Sequence, residues 1–174
     1  QVQHIKNTIA KIAPHFTMQR MLNDYYKKFY SKLQITGGRM RADGYQNARE
    51  LVQWKSKIKQ AWDHISVESL KVPDSNKGFI KFGDHFSSEI ILSIPGLDIS
   101  DIGVEILMGN KTNGDVKEVD SKMELDPVEF KDGKAKYTCS FPLKNAGVHD
   151  YSFRIFPKHP DLKYRMDFPL VKWV

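Results

Sequence analysis

The hydrophobic period of this chain changes once, near residue 66, and that change restricts its architecture more than any single motif does. Before it, apolar residues recur three or four positions apart, the spacing of one helix face. After it they alternate, the spacing of a half-buried strand. Ile5, Ile9 and Ile12 open the first pattern, and Pro14 is read as closing a first helix. Thr17 supplies an N-cap for a second helix, whose apolar side carries Met18, Met21, Leu22, Tyr25, Phe29 and Leu33 before Gly37-Gly38 ends it. A third helix is expected from about Gln46 to Ile65, with Leu51, Trp54, Ile58, Ala61, Trp62 and Ile65 on one side.

Alternating segments follow at 68–72, 78–82, 88–94, 103–108, 116–125, 135–141, 149–157 and 165–172. Pro73-Asp74, Pro95-Gly96, Asn113-Gly114, Asp132-Gly133 and Ala146-Gly147 supply turn signals between them. The expected fold is therefore α+β by segment. A helical part of about three helices (1–65) leads through a linker (66–77) into an all-β sandwich of immunoglobulin-like type (78–174). Cys139, the single cysteine, rules out an inter-sheet disulfide, and alternation places it on a strand as a small buried residue. Trp173 follows Val171 in the same alternation and is expected in the core.

Charge is divided as sharply as the period. Residues 1–65 hold twelve Lys or Arg against four Asp or Glu, a net +8, while the remainder carries −2. A nucleic-acid surface, a face meeting an acidic neighbour and a positive field around anionic substrates all fit such an excess. The rings, however, fall on the apolar stripe and not among the basic residues, and no recognition signature is present. Nucleic acid is not an expected partner, and a basic nucleic-acid-binding protein is the least favoured reading. No apolar run approaches the ~20 residues of a membrane span, and no secretory signal leads the chain. A cytoplasmic protein without membrane contact is expected. The start at Gln1 favours a piece of a longer chain.

Chemistry is sparse. No His-Glu-x-x-His, phosphate loop or Gly-x-Ser-x-Gly elbow occurs, and the six histidines lack ligand spacing. No catalytic, cofactor-binding or metal-ligating residue is assigned. Asp98 and Asp101 sit in a polar turn and are read as capping residues. Tyr25, Tyr26, Phe29, Tyr30, Trp54 and Trp62 are more large rings than a small helical core absorbs with ease. Of these, Tyr25, Phe29, Tyr30, Trp54 and Trp62 are the candidates for packing against a neighbouring domain.

Three ordered stretches carry a resemblance. Ile5-Lys6-Asn7-Thr8-Ile9-Ala10-Lys11-Ile12-Ala13-Pro14-His15-Phe16-Thr17-Met18-Gln19-Arg20-Met21 is followed by Asp24-Tyr25-Tyr26 and Phe29-Tyr30. Leu51-Val52-Gln53-Trp54-Lys55 precedes Ala61-Trp62. Gly147-Val148-His149-Asp150-Tyr151 precedes Pro157-Lys158-His159-Pro160-Asp161-Leu162. Together they resemble the C-terminal end of bacterial α-glucan (glycogen, maltodextrin) phosphorylases. The resemblance implies a parent with two Rossmann-type domains and pyridoxal phosphate on a lysine, cleaving α-1,4-glucan with phosphate to glucose 1-phosphate. No Gly-Thr-Gly-Asn-Met-Lys type run occurs here, so the cofactor is expected in the parent and none in this segment. Residues 1–33 are then expected to brace the parent's cleft, with the rest of the catalytic chain as partner. The sandwich resembles accessory β-domains of glucan-acting enzymes, with α-glucan as a possible ligand. A stand-alone carbohydrate-binding module is the alternative reading, ranked below packing or assembly because the only tryptophan of the β half is expected inside.

Overall fold

A computed structural model describes residues 2–73, 85–112, 115–142 and 149–174, with 110–112, 115–118, 120 and 149 described by backbone alone. The expected strand at 78–82 and the turns at 113–114 and 146–147 lie outside the described residues. The chain divides into two compact units, residues 1–52 and 53–174.

The expectation of three helices is overturned: residues 2–64 form one long helical run. It is α-helical at Val2–Asn7, Met18–Tyr25 and Ser31–Ala61, with π turns at Thr8–Ile12 and Tyr26–Tyr30 and 3-10 turns at Ala13–Phe16 and Trp62–His64. Pro14 falls in the first positions of a 3-10 turn, where its missing N–H removes no helical bond. Gly37 and Gly38 stay helical, each weakening an exposed helix by about 1 kcal/mol relative to Ala without stopping it. Thr17 is extended at φ −78°, ψ 146°, and its side chain accepts from the Arg20 N–H, so the expected cap forms inside the run. A kink at Asp43, Gly44 and Tyr45 takes all three to positive φ. Asn47 there donates to the Arg39 carbonyl and Arg49 to that of Gly44.

The β half holds β1 (Ser66–Lys71), β2 (His85–Ser93), β3 (Ile102–Thr112), β4 (Asp115–Glu124), β5 (Asp126–Lys131), β6 (Lys134–Pro142), β7 (His149–Pro157) and β8 (Lys172–Trp173). They form two four-stranded sheets of order β1-β2-β6-β5 and β4-β3-β7-β8, antiparallel at every pair. Sheets of this strand order form a Greek-key sandwich arrangement. Ile90 and Leu92 from one sheet and Val104, Ile106, Phe153 and Ile155 from the other fill a common core. Alternation works there as expected: β2 and β6 each bury every second residue. Cys139 is buried on β6, 3.0 Å from the Ser88 hydroxyl.

Turn chemistry is equally local. Gly96 has φ 74°, and Asp132 and Gly133 have φ 50° and 72°, the paired positive φ values that a two-residue hairpin requires. That hairpin joins β5 to β6. The alternation pattern passes over β5 because Pro127 interrupts it; a proline is tolerated there since β5 is an edge strand with a bulge between Pro127 and Glu129. The stretch expected as a linker, 66–77, begins as β1, paired along β2. The expected strand at 165–172 is instead a 3-10 turn (Arg165–Asp167), an irregular strap and the two residues of β8. Within that strap Arg165 pairs with Glu105 and Phe168 is buried in the core.

Candidate functional site

In residues 2–52 no side chain is buried. Ile5, Ile9, Met18, Met21, Leu22, Tyr25, Phe29 and Leu33 are all exposed. Tyr25 lies 5.8 Å from Phe29 and 6.4 Å from Tyr30, ring centre to ring centre. These rings touch one another and remain 47%, 43% and 58% exposed for Tyr25, Phe29 and Tyr30. One i,i+4 ion pair, Arg20–Asp24 at 2.8 Å, flanks the stripe.

Trp54 and Trp62 are placed differently. They belong to the compact unit 53–174, where Ile58, Trp62 and Ile65 join the sandwich core. The Trp54 indole N–H donates to Asp101 Oδ1 at 2.7 Å, and its ring meets His159 at 4.7 Å and Phe168 at 5.8 Å. Lys57 Nζ donates to Asp101 Oδ2 at 2.8 Å. Asp101 also accepts the Asp98 N–H at 2.9 Å, completing a capping box with Asp98, so the capping roles read from the sequence are borne out. Burial pushes the Asp101 carboxyl up, but the bonds from Asp98, Lys57 and Trp54 outweigh it and hold the group below its ordinary range. Lys172 Nζ donates to the Trp62 and Ile65 carbonyls at 3.2 and 2.7 Å, satisfying acceptors where the helical run ends. The five candidate packing residues thus divide into an exposed trio and two that seal this unit.

A second assembly lies on the outward side of the β4-β3-β7-β8 sheet. Ile102, Val104, Ile106 and Met108 face the core, so Gly103 and Glu105 face outward. Glu124, Glu105, Arg154 and Trp173 are successive cross-strand neighbours. Glu105 is 1% exposed and is held by both Arg154 and Arg165, while Lys158 pairs with Glu124. The Arg165 guanidinium lies 3.6 Å above the Phe156 ring, and that ring lies against Gly103, where an added Cβ would come within 2.3 Å of it. Trp173, expected in the core, is 57% exposed at the sheet edge, with Arg154 5.4 Å over its ring. Strand parity puts it on the outward face, because its cross-strand partner Arg154 points outward between the core residues Phe153 and Ile155.

On the other sheet, a groove of about 640 Å³ is lined by Lys71, Ser87, Glu89, Asp126, Thr138 and Ser140 among others. Glu89 is held below its usual range by hydrogen bonds from Lys136 and Lys71. Tyr137, fully within the core, shares its hydroxyl proton between the Ile99 and Ile102 carbonyls, both at 3.1 Å, and burial pushes its pKa up.

None of this fits pyridoxal phosphate. A Schiff-base lysine needs an amine free to deprotonate beside a phosphate cradle, whereas Lys57 and Lys136 hold carboxylates and Lys172 holds two carbonyls. Among the described residues no group of three or more His, Cys, Asp or Glu is gathered for a metal, and no helix is long and apolar enough to cross a membrane.

A family model described as the glycogen phosphorylase C-terminal domain matches residues 62–174. Maltodextrin phosphorylase of Thermococcus litoralis is 30% identical over 174 residues, an alignment covering 97% of this chain and 20% of the relative. Glycogen phosphorylases of Mycobacterium bovis and Mycobacterium tuberculosis are each 25% identical, covering 98% of this chain and 20% of their own length. The chain therefore spans about a fifth of the length of the curated relatives it matches.

Proposed function

This chain belongs to the glycogen phosphorylase C-terminal domain family, and on that premise we propose that it is the non-catalytic C-terminal portion of an α-glucan phosphorylase. The parent cleaves α-1,4-glucan with inorganic phosphate to release glucose 1-phosphate, and its pyridoxal phosphate is held by residues outside this chain. The observation that carries the reading is coverage: nearly all of the chain aligns, yet with only a fifth of each relative. A segment of that size is read as an accessory to the chemistry.

Its part in the parent is packing. The exposed stripe around Tyr25, Phe29 and Tyr30 rests against the rest of the catalytic chain, as the family resemblance of residues 1–33 implies. Fully burying a large apolar side chain contributes roughly 1.5–3 kcal/mol. These rings are about half exposed, so each has on the order of 1 kcal/mol still to gain. The sandwich forms a separate compact body that keeps its own core.

The reading is tested by incubating the 174-residue chain with pyridoxal phosphate, inorganic phosphate and maltoheptaose. No glucose 1-phosphate is expected. Sustained release above the protein-free control would place the machinery inside this chain and overturn the proposal.

A further inference from the structure

The outward row of the β4-β3-β7-β8 sheet ends in a tryptophan that its neighbours hold toward solvent. Glu105, almost fully buried, accepts from Arg154 Nε and is paired with Arg154 Nη2 and Arg165 Nη1. A carboxylate so desolvated is expensive unless its partners are fixed, so Arg154 is fixed. Its guanidinium in turn lies over the Trp173 ring. The backbone is tied down as well: the Val174 N–H and C=O bond to Phe153 at 3.0 and 3.1 Å. Trp173 is thus 57% exposed without being loose.

We propose that Trp173 and Arg154 form a binding platform for one face of a glucose unit in an α-1,4-glucan chain. The proposal rests on the reading of the parent as a glucan phosphorylase and names a site for its substrate class away from the chemistry. A pyranose ring has a face of C–H bonds that stacks on an indole and a rim of hydroxyls that require polar partners. The guanidinium lies over one face of the indole, so a sugar would stack on the opposite face of this exposed ring. A large protein partner is a poorer match. Such interfaces centre on a contiguous apolar cluster, whereas the row that Trp173 ends continues through Arg154, Glu105 and Glu124.

Affinity electrophoresis of the 174-residue chain in gels containing amylose, with maltoheptaose as competitor, tests this. Retardation is expected for the native chain, at least ten-fold weaker in Trp173→Ala and within a few-fold of native in Trp173→Phe, which keeps a ring. Maltoheptaose is also expected to shift native tryptophan emission, a shift lost in Trp173→Ala, since Trp62 is buried and Trp54 is partly buried against the core and engaged by Asp101. Unchanged mobility of the native chain, or equal retardation of native and Trp173→Ala, would overturn the platform. So would equal retardation by a β-1,4-glucan. Failure here leaves the phosphorolysis assay untouched, so the two proposals fall separately.

Discussion

Residues 2–52 and 53–174 both present apolar faces, and only the second closes on itself. In the first unit the stripe from Ile5 to Leu33 stays in solvent, whereas in the second Ile58, Trp62 and Ile65 sink into a core shared with both sheets. The same helical spacing runs through both, so amphipathicity alone does not decide burial. A helix buries its stripe only against another layer, and residues 53–64 find one in the sandwich. The fixing contacts are specific: Asp101 receives Trp54 and Lys57, and Lys172 receives the last carbonyls.

The contrast can be broken most severely at Glu105. Glu105→Ala leaves Arg154 and Arg165 facing each other without their shared carboxylate, an expected loss of roughly 3 kcal/mol by urea unfolding. A loss below about 1 kcal/mol would show the outward row to be incidental. Gly103→Ala forces the Phe156 ring off its seat and is expected to destabilise the second unit by about 2 kcal/mol, read as a lowered Tm. Asp101→Asn weakens the fastening of 53–64 and should cost about 1.5 kcal/mol. It also carries a pH signature. The folded pKa of Asp101 is depressed from 3.8, so its contribution is fully present above that value and disappears as pH falls through the folded one. Native chain should therefore lose more stability than Asp101→Asn in an acid titration, and parallel curves would contradict the assignment. The smallest effect is expected in the first unit. Tyr25→Ala, Phe29→Ala and Tyr30→Ala should each shift unfolding of the isolated chain by less than about 0.5 kcal/mol, since the rings have little to lose without a partner.

Local rules explain what was legible. The period change near residue 66 separated helix from sheet, the Asp132-Gly133 pair marked a hairpin, and Thr17, Asp98 and Asp101 took the caps their side chains suit. Stop signals were read too strictly: Pro14 entered a 3-10 turn and Gly37-Gly38 stayed helical, which turned one run into three on paper. β5 hid behind Pro127, and 165–172 imitated a strand because Met166 and Phe168 are separated by a polar residue. Alternation gave Trp173 a parity but could not say which side faced the core. The outward row was illegible for a simpler reason. Glu105 meets partners 49 and 60 positions away, and no short-range pattern marks a carboxylate that tertiary structure will bury.

Hydrogen exchange across the 174-residue chain tests most directly the claim that one unit closes on itself and the other leaves its stripe unpacked. Amides of β2, β3, β6 and β7 should exchange only on global opening, while those of Met18–Tyr25 should exchange orders of magnitude faster through local fraying of an unpacked helix. Protection of Met18–Tyr25 equal to that of β3 would mean that the stripe is already buried, and would contradict the account.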